Sequence, residues 1–215
     1  MGGETDKLFL PLAGRPLVAH TWQRFDRAGC IAEIVLVVRE GRQKVFEELA
    51  RECGFQKPFR LVAGGQERQD SVWNGLEKLS PATEIVAIQD AARPCTSEAL
   101  IEATIEAARE CGAAVAAQAV TDTMKLSDDG RFIARHLDRS QLWAVQTPQT
   151  FSVEVIRRAL AKVRERKLLV TDDTAACELI GQAVRLVCHA DPNPKVTRPE
   201  DVPWVEMLLK NPKAG

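Results

Sequence analysis

The sequence predicts an α/β protein built on a twisted, mostly parallel sheet with helices on both faces and an extended arm. Three observations carry this. Short, nearly all-apolar segments alternate with segments of helical period from residue 16 to residue 120, and strand–helix alternation at that spacing builds βαβ units with right-handed crossovers. Gly64-Gly65 and the DAARP run at 90–94 fall where strands end, which is where such sheets bind ligands. Over 121–149 the alternation stops, and turn residues with short extended runs take its place.

Residues 16–28 place Leu17, Trp22 and Phe25 on one helical face, and Gly29 closes the helix. IAEIVLVV (31–38) is short, β-branched and almost wholly apolar, as a strand buried on both faces must be. RQKVFEELAREC (42–53) returns to helical period. FRLVAGG (59–65) reads as a strand running into glycines, 68–79 as a helix, EIVAIQD (84–90) as a strand, 97–111 as a helix and AAVAAQAV (113–120) as a strand. SDDG (127–130) is a turn, RFIARHL (131–137) a short basic strand and LWAVQT (142–147) an extended run. Together, 121–149 reads as an arm too poor in apolar alternation to fold alone, and a second copy of the chain is the economical support. Helices are expected again at 152–166, 174–181 and 198–210.

The chain has 215 residues, enough for one domain with a full core, and the expectation is a single domain over 1–215. Lys and Arg number 29 against 30 Asp and Glu, so no bulk charge favours nucleic acid or an anionic membrane. The basic helix RRALAKVRERK (157–167) reads as a solvated face. No run approaches about 18 apolar residues, and the first residues are polar and Gly-rich. A cytoplasmic protein is expected, with no nucleic acid and no membrane among its partners. The six cysteines lack C-x-x-C spacing and read as idle thiols. His20, His136 and His189 show no metal-binding spacing, and no residue is assigned to a metal. There is no Walker-type loop and no G-x-S-x-G frame around Ser71.

Several segments suit a phosphate-bearing ligand. In GGQERQDSVWNGL (64–76), Gly64 and Gly65 allow close backbone approach, and Asp70 or Ser71 is placed to cap the next helix, whose N-terminus favours an anion. An ordinary strand–loop–helix joint would look the same. In QDAARPC (89–95), Asp90 offers a carboxylate for a ribose hydroxyl or a metal and Arg93 a fork for phosphate; a local ion pair is the alternative. Thr123, Arg139 and Thr147 supply hydroxyls and a guanidinium around the arm. Thr171 in TDD reads as a helix cap on local grounds, and Lys195 in NPKVTRPED as a lone loop cation.

Taken in order, FLPLAGRPL, GGQERQDSVWNGL, DAARP, DTMK, DRSQLW, QTPQTF, TDD and NPKVTRPEDV resemble the 2-C-methyl-D-erythritol 4-phosphate cytidylyltransferases of non-mevalonate isoprenoid biosynthesis. The ribitol-5-phosphate cytidylyltransferases are the nearest confusable relatives, and a non-catalytic nucleotide-binding remnant is the alternative outside enzymes. The resemblance implies a Rossmann-like nucleotidyltransferase fold, a homodimer that exchanges the β-arm, CTP and methylerythritol phosphate as substrates, and Mg²⁺ held mainly by the CTP phosphates. It implies that Gly64, Gly65, Gln66 and Ser71 contact the nucleotide with Asp90 beside the ribose, Gln66 standing where the family often has Asp. It further implies that Asp90, Arg93, Thr123, Thr147, Thr171 and Lys195 contact the substrate and its phosphates. Arg139 corresponds to an arm arginine reaching a partner's site, and Lys7 and Lys195 to the catalytic lysines. Met1-Gly2 matches the tail of the family's A-A-G-x-G-x-R loop, so the family's first strand, glycine loop and catalytic arginine would precede residue 1. A weakly active or inactive 215-residue chain is therefore expected.

Overall fold

The structure, a computed structural model, describes residues 7–210. Met1 and Gly2, matched above to the tail of a glycine loop, lie outside the described residues. A 3₁₀ turn at Lys7–Phe9 leads into a two-residue hairpin, β1 (Pro11–Leu12) with β2 (Arg15–Pro16). Its central residues Ala13 and Gly14 both have positive φ, 45° and 82°, as a primed hairpin turn requires. Then come α1 (Leu17–Arg27), β3 (Ile34–Val38), α2 (Gln43–Cys53), β4 (Phe59–Ala63), α3 (Arg68–Leu76), β5 (Ile85–Ile88), α4 (Glu98–Cys111) and β6 (Ala113–Ala119). The expected alternation is present element for element over this stretch. Strand periods and helix stops are local signals, so they survive folding with boundary shifts of a few residues. Ser97 caps α4 by accepting the Leu100 N–H at 3.3 Å, and Gly112 ends it in the left-handed region.

The sheet itself is mixed. One piece has the order β10-β6-β9-β5, where β9 is Trp143–Ser152 and β10 is Arg185–Cys188; the other is the pair β3-β4. β3 with β4 and β10 with β6 are parallel, whereas β9 is antiparallel to both β6 and β5. The reason is the connection. β6 reaches β9 through the arm without a crossover helix, so β9 must return the opposite way. The run at 142–147, read with the arm, belongs to this ten-residue strand from Trp143 on, and Thr147 through Phe151 are buried at the sheet's centre. The arm proper is a hairpin of β7 (Lys125–Leu126) and β8 (Arg135–His136), exposed throughout 121–136. Its turn is tied by Asp129, whose carboxylate accepts the N–H groups of Arg131 and Phe132 at 2.8 and 3.0 Å. The strand β10 carried no sequence expectation.

After β9, α5 (Val153–Glu165) buries Val155, Ile156, Ala159, Leu160 and Val163 against Phe151 and Leu76. The spacing is that of one helical stripe. α6 (Asp173–Glu178) is shorter than expected, and the last helix divides into a 3₁₀ turn at Pro199–Asp201 and α7 (Val202–Lys210). Leu12, Leu17, Ala92, Val196 and Val205 form a small core that seats the loop before α7 against the end of β5. No helix among the described residues is long and apolar enough to cross a membrane.

Candidate active site

Asp90, just past β5, is the hub. Its N–H donates to Thr147 Oγ1 at 3.1 Å, fixing it to β9. Its Oδ2 lies 3.0 Å from Lys195 Nζ and 3.3 Å from Arg93 Nε. Arg93 is held from behind, donating through Nη1 to the Asn193 carbonyl at 2.7 Å. The loop carrying Asn193 and Lys195 is pinned by the Val196 N–H, which donates to the Ala92 carbonyl at 2.9 Å. Burial pushes the Asp90 carboxyl up, but the hydrogen bond and charge of Lys195, with Arg93 and Arg68, outweigh it and hold the pKa below its ordinary value. Burial pulls Arg93 down against the pull of Asp90.

A second loop follows β4. The Gly64 N–H donates to the Val38 carbonyl at 2.8 Å, and the Gly65 N–H to Ser71 Oγ at 3.0 Å. A Cβ on Gly65 would sit 2.3 Å from the Asp70 Cβ, so this close turn excludes a side chain there. The N-cap of α3 is Glu67, whose N–H donates to the Asp70 carboxylate at 3.2 Å. The expected caps therefore serve otherwise: Asp70 reaches back to the cap, and Ser71 orders the glycines. Gln66 is exposed at the tip.

An ion pair joins this loop to the rest. Arg68 Nη2 donates to the buried Asp173 Oδ2 at 2.6 Å. The Asp173 N–H donates to Gln149 Oε1 at 3.0 Å, and Gln149 Nε2 donates to Asp172 Oδ2 at 3.0 Å. Asp172 caps α6 by accepting the Ala175 N–H at 2.9 Å. Thr171, expected as that cap, is displaced from the role by the stronger acceptor one residue on and stays exposed. Residues 64–68, 90–93, 147–149, 172–173 and 193–196 thus share one rim through a continuous polar network, with Thr171 exposed beside Asp172 in the chain. Arg68, Gln149 and Asn193 carried no expectation. Arg68 sits within a quoted motif, but its partner lies 105 residues away, which no local signal reveals.

Thr123 and Arg139 are not brought to this rim. Both lie exposed on the arm, and Arg139 donates to the Thr121 carbonyl at 2.6 Å, bracing the arm's base. Lys7 is exposed at the start of the first turn, one residue before Leu8, which packs on the core beside Ala92 and Val196. Neither hydrogen bond nor ion pair joins Lys7 or Thr123 to Asp90 among the described residues. Nor is any group of three His, Cys, Asp or Glu there close enough to hold a metal ion. Burial pushes the Cys177 thiol up to about 12 and that of Cys95 to about 11, which makes them packing groups and not nucleophiles.

The sequence model described as 2-C-methyl-D-erythritol 4-phosphate cytidylyltransferase matches residues 1–211. A curated protein of that name from Pelotomaculum thermopropionicum is 40% identical over 211 residues, covering 98% of this chain and 89% of the relative. Another from Desulforamulus reducens is 42% identical, covering 98% and 90%. Among solved structures, 4-diphosphocytidyl-2C-methyl-D-erythritol synthase from Anaerococcus prevotii superposes with a TM-score of 0.86 at 29% identity, covering 94% of this chain and 93% of that one. The 2-C-methyl-D-erythritol 4-phosphate cytidylyltransferase of Thermus thermophilus gives 0.80 at 32%, covering 95% and 94%. On the length of these matches and the level of identity, the chain belongs to the 2-C-methyl-D-erythritol 4-phosphate cytidylyltransferase family of nucleotidyltransferases.

Proposed function

We propose that the rim around Asp90 transfers a cytidylyl group from CTP to 2-C-methyl-D-erythritol 4-phosphate, releasing pyrophosphate. The carrying observation is the convergence of Arg93 and Lys195 on one carboxylate at the carboxyl end of β5. Two cations held by a fixed anion stand ready for a phosphate without first collapsing onto each other's space.

The attacking group is an oxygen of the methylerythritol phosphate. It bonds to the α-phosphorus of CTP while the bond to the bridging oxygen of pyrophosphate breaks in line. A phosphate oxygen is already nucleophilic near neutral pH, so the protein positions groups and stabilises charge and needs no strong base. In this reading Gly64, Gly65, Gln66 and Ser71 receive the nucleotide, and Asp90 meets the ribose. Arg93, Thr147, Thr171 and Lys195 hold the acceptor phosphate, and Lys7 approaches the triphosphate. Mg²⁺ would be held mainly by the CTP phosphates, since the Asp90 carboxylate is already shared by Arg93 and Lys195, and would supply neutralisation of phosphate charge. Thr123 and Arg139 act through a homodimer in which a partner's arm lies over the rim.

A pyrophosphate-release assay tests the reading. Turnover should require CTP and should favour methylerythritol phosphate over ribitol 5-phosphate; the opposite acceptor preference would overturn it. Arg93→Ala should lower kcat/KM by roughly 10²–10³, the usual effect of deleting one charge-stabilising donor. CTP binding with no turnover under any condition would favour the non-catalytic alternative.

A further inference from the structure

The loop behind Arg93 begins at a histidine whose protons are assigned by its neighbours. The chain of reasoning starts at Asn193, which is buried. Its Nδ2 donates to the Thr147 carbonyl at 2.9 Å, where β9 slips register against β6 between Val115 and Ala117. A carbonyl oxygen only accepts, so the orientation of the Asn193 amide is fixed. The Gln146 atom 3.0 Å from the same Nδ2 is then an acceptor, Oε1. That oxygen also faces His189 Nε2 at 3.2 Å, so Nε2 must carry a proton. His189 Nδ1 lies 2.8 Å from the Asp191 carbonyl, so Nδ1 must carry one too. With both nitrogens donating, the ring is an imidazolium. A neutral ring can make either bond but not both.

The surrounding amides leave no easy alternative. Turning the Gln146 amide over would offer its Nε2 to the ring. It would also set that nitrogen against Asn193 Nδ2, donor against donor. The turned oxygen would meet Gln118 Oε1, which now accepts from Gln146 Nε2 at 3.1 Å. Gln118 is itself committed, since its Nε2 donates to the Asp191 carbonyl at 3.3 Å. Against this network, burial pulls the ring's pKa below the ordinary histidine value. The Asp191 carbonyl and carboxylate pull it back up, and Arg93 pulls it further down; these are the charged groups that act on the ring. The ring therefore changes charge on the acid side of its ordinary range, and its bonds change with it.

What the ring ties together belongs to the site. The main-chain carbonyl of Asn193 accepts from Arg93 Nη1 at 2.7 Å, and two residues on Lys195 reaches Asp90 at 3.0 Å. Gln146 precedes Thr147, whose hydroxyl receives the Asp90 N–H. The charged ring thus fastens Asp191, near the start of the loop, to the strand on which Asp90 is seated.

We propose that the His189 imidazolium is a positioning residue for the transfer: by bridging Asp191 and Gln146 it holds the loop 191–195, and with it Arg93 and Lys195, in the geometry that takes the acceptor phosphate. This rests on the reading that those two cations bind that phosphate. Loss of the ring proton releases one end of the bridge. Acceptor binding then weakens although no group that touches the acceptor has been removed.

The test uses the 215-residue chain and two variants, His189→Ala and Gln146→Leu. In a nuclear magnetic resonance titration of the wild type, both His189 ring nitrogens should be protonated at low pH. The side-chain amides of Gln146 and Asn193 should shift with the same midpoint as the ring. Amides that ignore the ring would overturn the proposal and leave the functional reading untouched. Calorimetry then measures methylerythritol phosphate binding in the presence of a CTP analogue with a methylene bridge between the α- and β-phosphates. The wild type should bind at least about fivefold more tightly than His189→Ala at about pH 5 and equally at about pH 8. Comparing the two proteins at each pH cancels the acceptor's own titration. Gln146→Leu keeps the ring and its charge but cuts the tie, and should match His189→Ala. If it binds like the wild type, the ring acts only as a charge and the positioning role is overturned. No acceptor binding by any of the three proteins, with the amides following the ring, would sink the functional reading and the role built on it.

Discussion

At the scale of single residues, Asp90 and Asp173 are opposite cases of a buried carboxylate. Asp90 has two cations on one oxygen, and its folded pKa lies below the unfolded value. Its contribution to stability is therefore present above the unfolded pKa and is lost as pH falls through the folded one. Asp90→Asn should destabilise the protein near pH 7, and its deficit in denaturation midpoint should shrink as the pH is lowered past 3.8, the ordinary value. A deficit independent of pH would contradict this account. Asp173 is wholly buried, and burial raises its pKa in spite of Arg68. The cost of its charge is absent at low pH and sets in as the pH rises through the folded value. Arg68→Met leaves that charge without its counter-ion. With water reaching one side of Arg68, the expected cost is about 1–3 kcal/mol in urea unfolding. Adding Asp173→Asn to Arg68→Met should recover part of it; an additive double variant would show that the two groups are not coupled.

At the scale of elements, the arm stands apart. It has two short strands and an Asp129-tied turn, and it exposes Phe132 by 77% and Ile133 by 68%. An isolated two-stranded hairpin is marginal in water, so its apolar tip is the surface on which the proposed dimer depends. Phe132→Asp should shift the chain toward monomer in sedimentation, with little change in the far-ultraviolet spectrum. A wild-type protein that is monomeric at every concentration would remove the premise. α5 is the contrasting element: its apolar stripe is visible as a repeat, and the stripe is what packs. Ile156→Ala should cost about 2–5 kcal/mol in unfolding; a much smaller loss would mean the core closes around the gap.

At the scale of the whole molecule, β6 and β9 are the interior strands of the larger sheet, and Ala113–Ala117 and Thr147–Phe151 are buried. Their amides should exchange slowest, close to the global unfolding rate, while those of 121–136 exchange within seconds. Arm amides protected as strongly as β9 in a verified monomer would contradict this layout.

How much of this the sequence carried depends on range. Element type from residue 16 to 120, the turn at 127–130, the two glycines, and Asp90 with Arg93 are all legible, because periodicity, glycine tolerance and charge spacing are properties of a few consecutive residues. Thr171 reads as a cap, yet Asp172, the next residue, is equally eligible, and only the folded loop selects between them. The antiparallel return of β9, the pairing of Arg68 with Asp173 and the seat of Asn193 behind Arg93 are not legible. Each joins segments far apart in the chain, and sequence spacing says nothing about which distant backbone will close a pair. By itself, the sequence determined which segments are strands and helices and which residues carry charge toward their ends. Only the tertiary structure decided how the strands are ordered and which cations share a carboxylate, because those are outcomes of long-range packing.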